Sequence, residues 1–283
     1  MEMASLHVDK FYTEIKKQHP VIHCITNAVT VNDCANILLA IGASPVMAHH
    51  PLEVAEITEG TSALVCNMGA IADYEAMLAA GHRAKELGHP IVIDPVGVAG
   101  SSYRRAQCIA LIHALHPACI RGNYSEIRAL IQNKKTAAGV DAAPEDSTET
   151  NWNAFISDLK AYASAEQMIV IASGETDIIT DGITTYLCHN GDSLMASITG
   201  SGCMSSCLLG AFLGATISYE YSQTALLESA ASCCAFMGIA GELAANRTHQ
   251  CEGGTMTFRM KLIDAVSLMQ TDELLSNLRV EIR

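Results

Sequence analysis

Short apolar runs alternate with longer stretches of helical spacing along most of this chain. Val21–Thr26 predicts a strand, and Asn32–Ile41 carries apolar positions at the spacing of an amphipathic helix. Pro45–Ala48 predicts a short strand and Ala63–Asn67 another, followed by a helix from about Asp73 to Leu87. Pro90–Asp94 reads as a buried strand broken at its C-terminal end, with a helix near Tyr103 to His113 beyond it. Ala118–Arg121 predicts the next strand, Asn123 opens the next helix, and Met168–Ala172 is a strand that Ser173-Gly174 terminates. The rhythm then changes. Asp177–Thr180 and Thr184–Cys188, joined across Asp181-Gly182, predict a β-hairpin, and the remainder predicts almost only helix. Repeated βα units imply an α/β fold: a mostly parallel central sheet, helices on both faces, and ligands at the C-terminal strand ends. The polar stretch Asn133–Thr150 is the most irregular, yet too short and embedded for a linker, so residues 1–283 are expected to form one domain.

Composition narrows the function classes. Hydrophobic residues make up 49% of the 283 positions and charged residues 17%, enough to bury a large core. The net charge of −13 argues against nucleic acid and anionic membranes, both of which need a basic face. It leaves room for a small anionic ligand held by local donors. Eleven cysteines, an odd number without a CxxC pair, read as buried reduced thiols rather than a disulfide framework. Adjacent His49 and His50 are poorly placed to share a metal, and no HExxH occurs. Charges throughout Met1–His19 rule out a signal peptide there. Ile198–Tyr219 comes nearest to a membrane span, but its Gly, Ser and Cys content reads better as a buried helix. The expectation is a cytoplasmic protein.

Three segments carry candidate chemistry. In Ile198-Thr199-Gly200-Ser201-Gly202-Cys203, two glycines let backbone approach a ligand, and the helix that follows offers unpaired N–H groups at its positive end. Such a turn is either a helix cap or an anion hole for a transferred phosphoryl group, and the motif alone leaves both open. Cys203 falls in the first turn of that helix, where the dipole is expected to lower its pKa. In Arg121-Gly122-Asn123-Tyr124-Ser125-Glu126, Asn123 and Glu126 are spaced as a capping box. A cap does not explain Arg121 at a strand end beside a carboxylate, which suits a nucleotide phosphate with hydrated Mg²⁺. Asp94-Pro95-Val96-Gly97 ends an apolar strand in a carboxylate, which is costly to bury and so is expected to face a cleft. Ser173-Gly174-Glu175 adds donors at the same rim.

Taken in order, these pieces resemble the hydroxyethylthiazole kinase family of the ribokinase-like superfamily. The resemblance runs through His23-Cys24-Ile25-Thr26-Asn27, Ala35-Asn36, Gly42 to Ala48 and Asn67-Met68-Gly69. It continues through Asp94 to Gly97, Arg121 to Glu126, Gly139-Val140-Asp141, Ser173-Gly174-Glu175 with Asp177, Thr199 to Cys203, and an altered Gly253-Gly254-Thr255 before Phe258. It implies a ribokinase-like three-layer sandwich and transfer of the γ-phosphoryl of ATP to 4-methyl-5-(2-hydroxyethyl)thiazole, feeding thiamine phosphate. It implies that Met47, Gly200 and Asn27 bind the thiazole, that Arg121, Ser173, Asn123 and Thr199 bind ATP, and that Asp94 and Glu126 attend Mg²⁺. Cys203, with Gly202 beside it, stands where other members of the superfamily carry an aspartate base. The family resemblance also implies a homotrimer with sites where subunits meet. Ser173 and Ser201 replace threonines and keep the hydroxyl, whereas Val98 to Ser102 departs from the family's usual run. A hydroxymethylpyrimidine-type kinase and a non-catalytic binding module are the alternatives. A nicotinamide oxidoreductase is excluded by the lack of a GxGxxG after the first strand.

Overall fold

The computed structural model describes residues 6–133, 149–217 and 222–283. Gly139-Val140-Asp141 and most of the polar stretch 133–150 lie outside them.

The strands are β1 (Val21–Ile25), β2 (Ser44–Val46), β3 (Ala63–Asn67), β4 (Ile91–Asp94), β5 (Cys119–Asn123), β6 (Ile169–Ser173), β7 (Asp177–Thr180), β8 (Thr185–Cys188) and β9 (Val280–Ile282). They form one nine-stranded sheet in the order β2-β1-β3-β4-β5-β6-β7-β8-β9. β2 to β6 run parallel, and β7, β8 and β9 are antiparallel additions. The expected hairpin is β7–β8, its turn held by Asp181 Oδ1, which accepts from the N–H groups of Ile183 and Thr184. β9 was not legible as a strand. It is three residues long and pairs with β8 from the far end of the chain.

Side-chain alternation sorts the core into two layers. Ile22, Cys24, Ala63, Val65, Val92 and Ile171 face one side, packed under α1 (Val8–Gln18), α2 (Val31–Ile41), α8 (Ser201–Ile217), α9 (Gln223–Gln250) and α10 (Thr255–Leu268). Ile25, Leu64, Cys66, Ile93, Val170 and Ala172 face the other, under α3 (Val54–Glu59), α4 (Tyr74–Leu87), α5 (Ser102–Leu115), α6 (Tyr124–Gln132) and α7 (Glu149–Glu166). A short α11 (Thr271–Ser276) leads to β9. This is the expected three-layer arrangement. The helices α1 and α3 were not read from the sequence: α1 is strongly polar on one face, and α3 spans only six residues.

α8 is apolar all round and buried from Cys203 to Thr216, as a helix between sheet and outer helix must be. Phe212 on α8 packs against Phe236 on α9 with ring centroids 5.8 Å apart. Each fully buried ring of that kind contributes roughly 1.5–3 kcal/mol relative to exposure. Among the described residues α9, not the segment after Ile198, is long and apolar enough to cross a membrane, yet 89% of its apolar window is buried in the core. All eleven cysteines are free thiols, and only Cys251 is exposed.

What matters for the site is where the parallel strands stop. Asn67 pairs with Asp94 across β3 and β4, and Asn123 pairs with Ser173 across β5 and β6. Ile93 lies opposite Ile120, so the next residues, Asp94 and Arg121, emerge side by side. One sheet edge therefore carries Asn67, Asp94, Arg121, Asn123 and Ser173.

Candidate active site

Above that edge lies a cavity of about 1320 Å³. Asn27, Asp94, Arg121, Asn123, Glu126, Ser173, Thr199, Gly200, Gly202 and Cys203 all border it. Residues more than a hundred positions apart are thus gathered by the strand ends and the start of α8. Met47 is the exception. It is half-buried just past the edge strand β2 and does not border this cavity in its own chain.

The start of α8 forms one wall. Gly200 takes φ +90°, a left-handed conformation, and a Cβ there would stand 2.7 Å from Thr30 Cγ2. Glycine is needed on both counts. The first turn closes with the Met204 N–H donating to Gly200 O at 2.8 Å, leaving the preceding N–H groups without helical partners. Arg121 anchors this wall, its guanidinium donating to Gly202 O at 3.0 Å. Burial works against the charge of Arg121, but Asp94 and Asp177 more than offset it and hold the guanidinium charged.

The carboxylates form the floor. Asp94 is 2% exposed, and its Oδ2 accepts from Asn67 Nδ2 at 2.8 Å and Ser206 Oγ at 2.9 Å. Burial pushes its pKa up to about 7; Arg121 opposes the rise and Glu126 adds to it. Glu126 closes the expected capping box with Asn123. Its two oxygens accept the N–H groups of Gly97 at 2.9 Å and Asn123 at 3.0 Å, which ties the Asp94–Gly97 turn to the start of α6. Burial raises its pKa too, against those backbone donors. Asp177 caps the Gly174 N–H at 3.1 Å and is pushed up to about 6 by burial, against the pull of Arg121. Ser173 Oγ is buried with no hydrogen-bond partner among the described residues, a group left for a ligand to satisfy.

Cys203 departs from expectation. Its position in the first turn of α8 predicted a lowered pKa. Instead burial, and then the charge of Asp94, push the thiol up to about 12, in spite of hydrogen bonding with Thr30 and Asn67. A helix dipole is worth about 1 kcal/mol at an exposed site, too little against loss of solvent around a residue only 8% exposed. Cys203 is a neutral thiol.

Asn67, Ser206, Thr30 and Asp177 complete the constellation and were not picked out as site residues. Asn67 had the same signal as Asp94, a polar residue ending an apolar parallel strand. Ser206 had none, since a serine inside an apolar helix looks like any other. Arg121 with the helix start offers positive potential to phosphates, and two nearby hard-oxygen carboxylates suit a divalent cation. Among the described residues no group of three metal-ligating side chains exists, so any cation would draw most of its ligands from elsewhere.

Comparison with known proteins gives a consistent answer. The model of the Hydroxyethylthiazole kinase family matches residues 12–272. A hydroxyethylthiazole kinase from Methanocella arvoryzae is 40% identical over 270 residues, covering 95% of both chains. One from Clostridium beijerinckii is 40% identical over 265 residues, covering 93% of this chain and 92% of its own. The structure of a hydroxyethylthiazole kinase protein from Pyrococcus horikoshii superposes with a TM-score of 0.81 at 28% identity, covering 98% of each chain. An ADP/ATP-dependent NAD(P)H-hydrate dehydratase from Bacillus subtilis, co-crystallised with ATP/Mg²⁺, shares the ribokinase-like arrangement at a TM-score of 0.52 and 11% identity, a likeness of fold alone.

Proposed function

The chain belongs to the hydroxyethylthiazole kinase family, and we propose that its cavity transfers the γ-phosphoryl of ATP to the hydroxyl of 4-methyl-5-(2-hydroxyethyl)thiazole, supplying thiamine phosphate synthesis. The observation that carries this reading is the convergence of Arg121, the open start of α8 and the Asp94–Glu126 pair on one cavity. Phosphoryl transfer through a loose transition state asks the protein for positioning and charge stabilisation more than for covalent chemistry. Arg121 and the N–H groups between Thr199 and Cys203 meet charge on the transferred group. Ser173 Oγ, unsatisfied among the described residues, and the Asn123 side chain are read as nucleotide contacts. Asn27 and Gly200 line the acceptor end.

The carboxylates fit magnesium. Asp94 and Glu126 are buried with raised pKa values, and among the described residues no third metal-ligating side chain groups with them, the sparse donor set of a cation that also takes substrate oxygens. When bound there with ATP, Mg²⁺ neutralises phosphate charge. Cys203, a thiol at neutral pH, donates a hydrogen bond or shapes the acceptor pocket and is not the base. Met47 lies away from its own chain's cavity. A homotrimer with thiazole sites where subunits meet would give it a place in a neighbouring cavity. We read the protein as a cytoplasmic, single-domain enzyme.

The test is direct: incubate the purified protein with ATP, Mg²⁺ and either hydroxyethylthiazole or hydroxymethylpyrimidine, measure ADP, and identify the product by mass. A phosphorylated thiazole with the pyrimidine inert is expected. No thiazole phosphate from folded protein overturns the proposal, and a phosphorylated pyrimidine moves the chain to the neighbouring substrate class.

A further inference from the structure

Asn67 ends β3 and is only 1% exposed. Its Oδ1 accepts the Gly69 N–H at 2.8 Å, which fixes the orientation of the amide. The Nδ2 group then faces two acceptors, Asp94 Oδ2 at 2.8 Å and Cys203 Sγ at 3.2 Å. Two hydrogens meet two acceptors, and every polar capacity of the amide but one lone pair is used. The Oδ1 bond alone is a cap on the 3-10 turn Met68–Asp73. Serine or aspartate would supply that cap as well. What neither supplies is the pair of donors, and those donors tie β4 to the first turn of α8. The sulfur also receives Asn27 Nδ2 at 3.5 Å and is hydrogen-bonded with Thr30, whose hydroxyl donates to Asn27 Oδ1 at 3.2 Å.

We propose that Asn67 is a positioning residue for phosphoryl transfer: its amide holds the Asp94 carboxylate and the Cys203 sulfur at a fixed separation beside the start of α8. The inference rests on the kinase reading of the cavity. A catalytic group displaced by about 1 Å can lose about 100-fold in rate, and Asn67 sets the placement of two such groups at once.

The experiment is a double-mutant cycle between Asn67→Ser, which keeps a capping oxygen, and Cys203→Ala, assayed with ATP, Mg²⁺ and hydroxyethylthiazole. Asn67→Ser should lower kcat about 100-fold while the KM for ATP changes little, because Arg121 and Thr199 are untouched. In the Cys203→Ala background the same substitution should cost about tenfold less, a coupling typical of side chains in one hydrogen-bond network. Equal losses in both backgrounds, or a rise in KM with kcat unchanged, would overturn the proposal. Asn67→Asp, which keeps shape and cap but inverts the polarity facing Asp94, should lose kcat at least as severely. It supplies the same readout if the serine variant folds poorly. Wild-type turnover in the same assay tests the kinase reading separately. Crystal structures of the two Asn67 variants test the positioning role without any substrate: the Cys203 sulfur and the Asp94 carboxylate unmoved in both would refute it.

Discussion

Replacing Asp94 by asparagine should abolish phosphoryl transfer and stabilise the ligand-free protein. The carboxylate is 2% exposed, and burial raises its pKa from 3.8 to about 7. Between those two values the folded protein holds a proton that the unfolded chain has released, so stability falls as pH rises through the window. The contribution is fully present below about pH 4 and lost by about pH 7. A shift of about three units corresponds to about 4 kcal/mol of lost stability at pH 8. Asparagine keeps an oxygen for Asn67 and Ser206 and never ionises, so it should recover about half of that cost or more, roughly 2–4 kcal/mol. For a chain of this size each kcal/mol moves Tm by about 2 °C. Thermal melts followed by circular dichroism, without nucleotide or divalent cation, should then place the variant some 4–8 °C above wild type at pH 8, by the same scaling. The difference should shrink steadily on acidification and vanish near pH 4. A variant no more stable at pH 8, or one whose advantage is the same at every pH, would refute the reasoning. So would a variant retaining wild-type turnover.

Other substitutions probe the walls of the cavity. Cys203→Ser should leave substantial kcat, because a thiol held near pKa 12 is no base; complete loss would restore it to that role. Gly202→Leu should hurt far more, since a Cβ there already stands 3.0 Å from the guanidinium of Arg121. Arg121→Lys keeps the charge but not the planar fork that reaches Gly202 O, and kcat/KM for ATP should fall at least about tenfold. Gly200→Ala forces a side chain into φ +90° against Thr30. It should cost about 1–3 kcal/mol in a denaturant titration and weaken thiazole binding in the steady-state KM.

Much of the site was legible because parallel strands repeat one geometry. Once Pro90–Asp94 and Ala118–Arg121 read as buried neighbouring strands, their polar C-terminal residues had to share an edge, and they do. The capping box at Asn123 and Glu126 was local and is present. Less legible were features set by contacts distant in sequence. β9 exists because β8 offers it a partner, and its three residues carry no pattern of their own. The pKa of Cys203 depends on how deeply the first turn of α8 is covered and on Asp94, neither of which is written in the six residues around it. Met47 has a legible position, yet it does not border the cavity of its own chain.

The electrostatics of the cavity resolve the tension between a net charge of −13 and a polyanionic substrate. Five acidic residues, Asp94, Glu126, Glu175, Asp177 and Asp192, border the cavity with two arginines, Arg104 and Arg121, and burial raises the pKa of Asp94, Glu126 and Asp177. The two arginines do not cancel the five. Free ATP would add four negative charges at about neutral pH to this field and meet repulsion, whereas ATP carrying a divalent cation brings the missing positive charge with it. The long-range repulsion is screened over about 8 Å at physiological ionic strength, so what decides binding is the balance inside the cavity. On this argument the acidity of the site is part of its selectivity. It should admit a nucleotide together with its metal, and discriminate against the metal-free nucleotide more sharply at pH 8, with Asp94 and Asp177 ionised, than at pH 6.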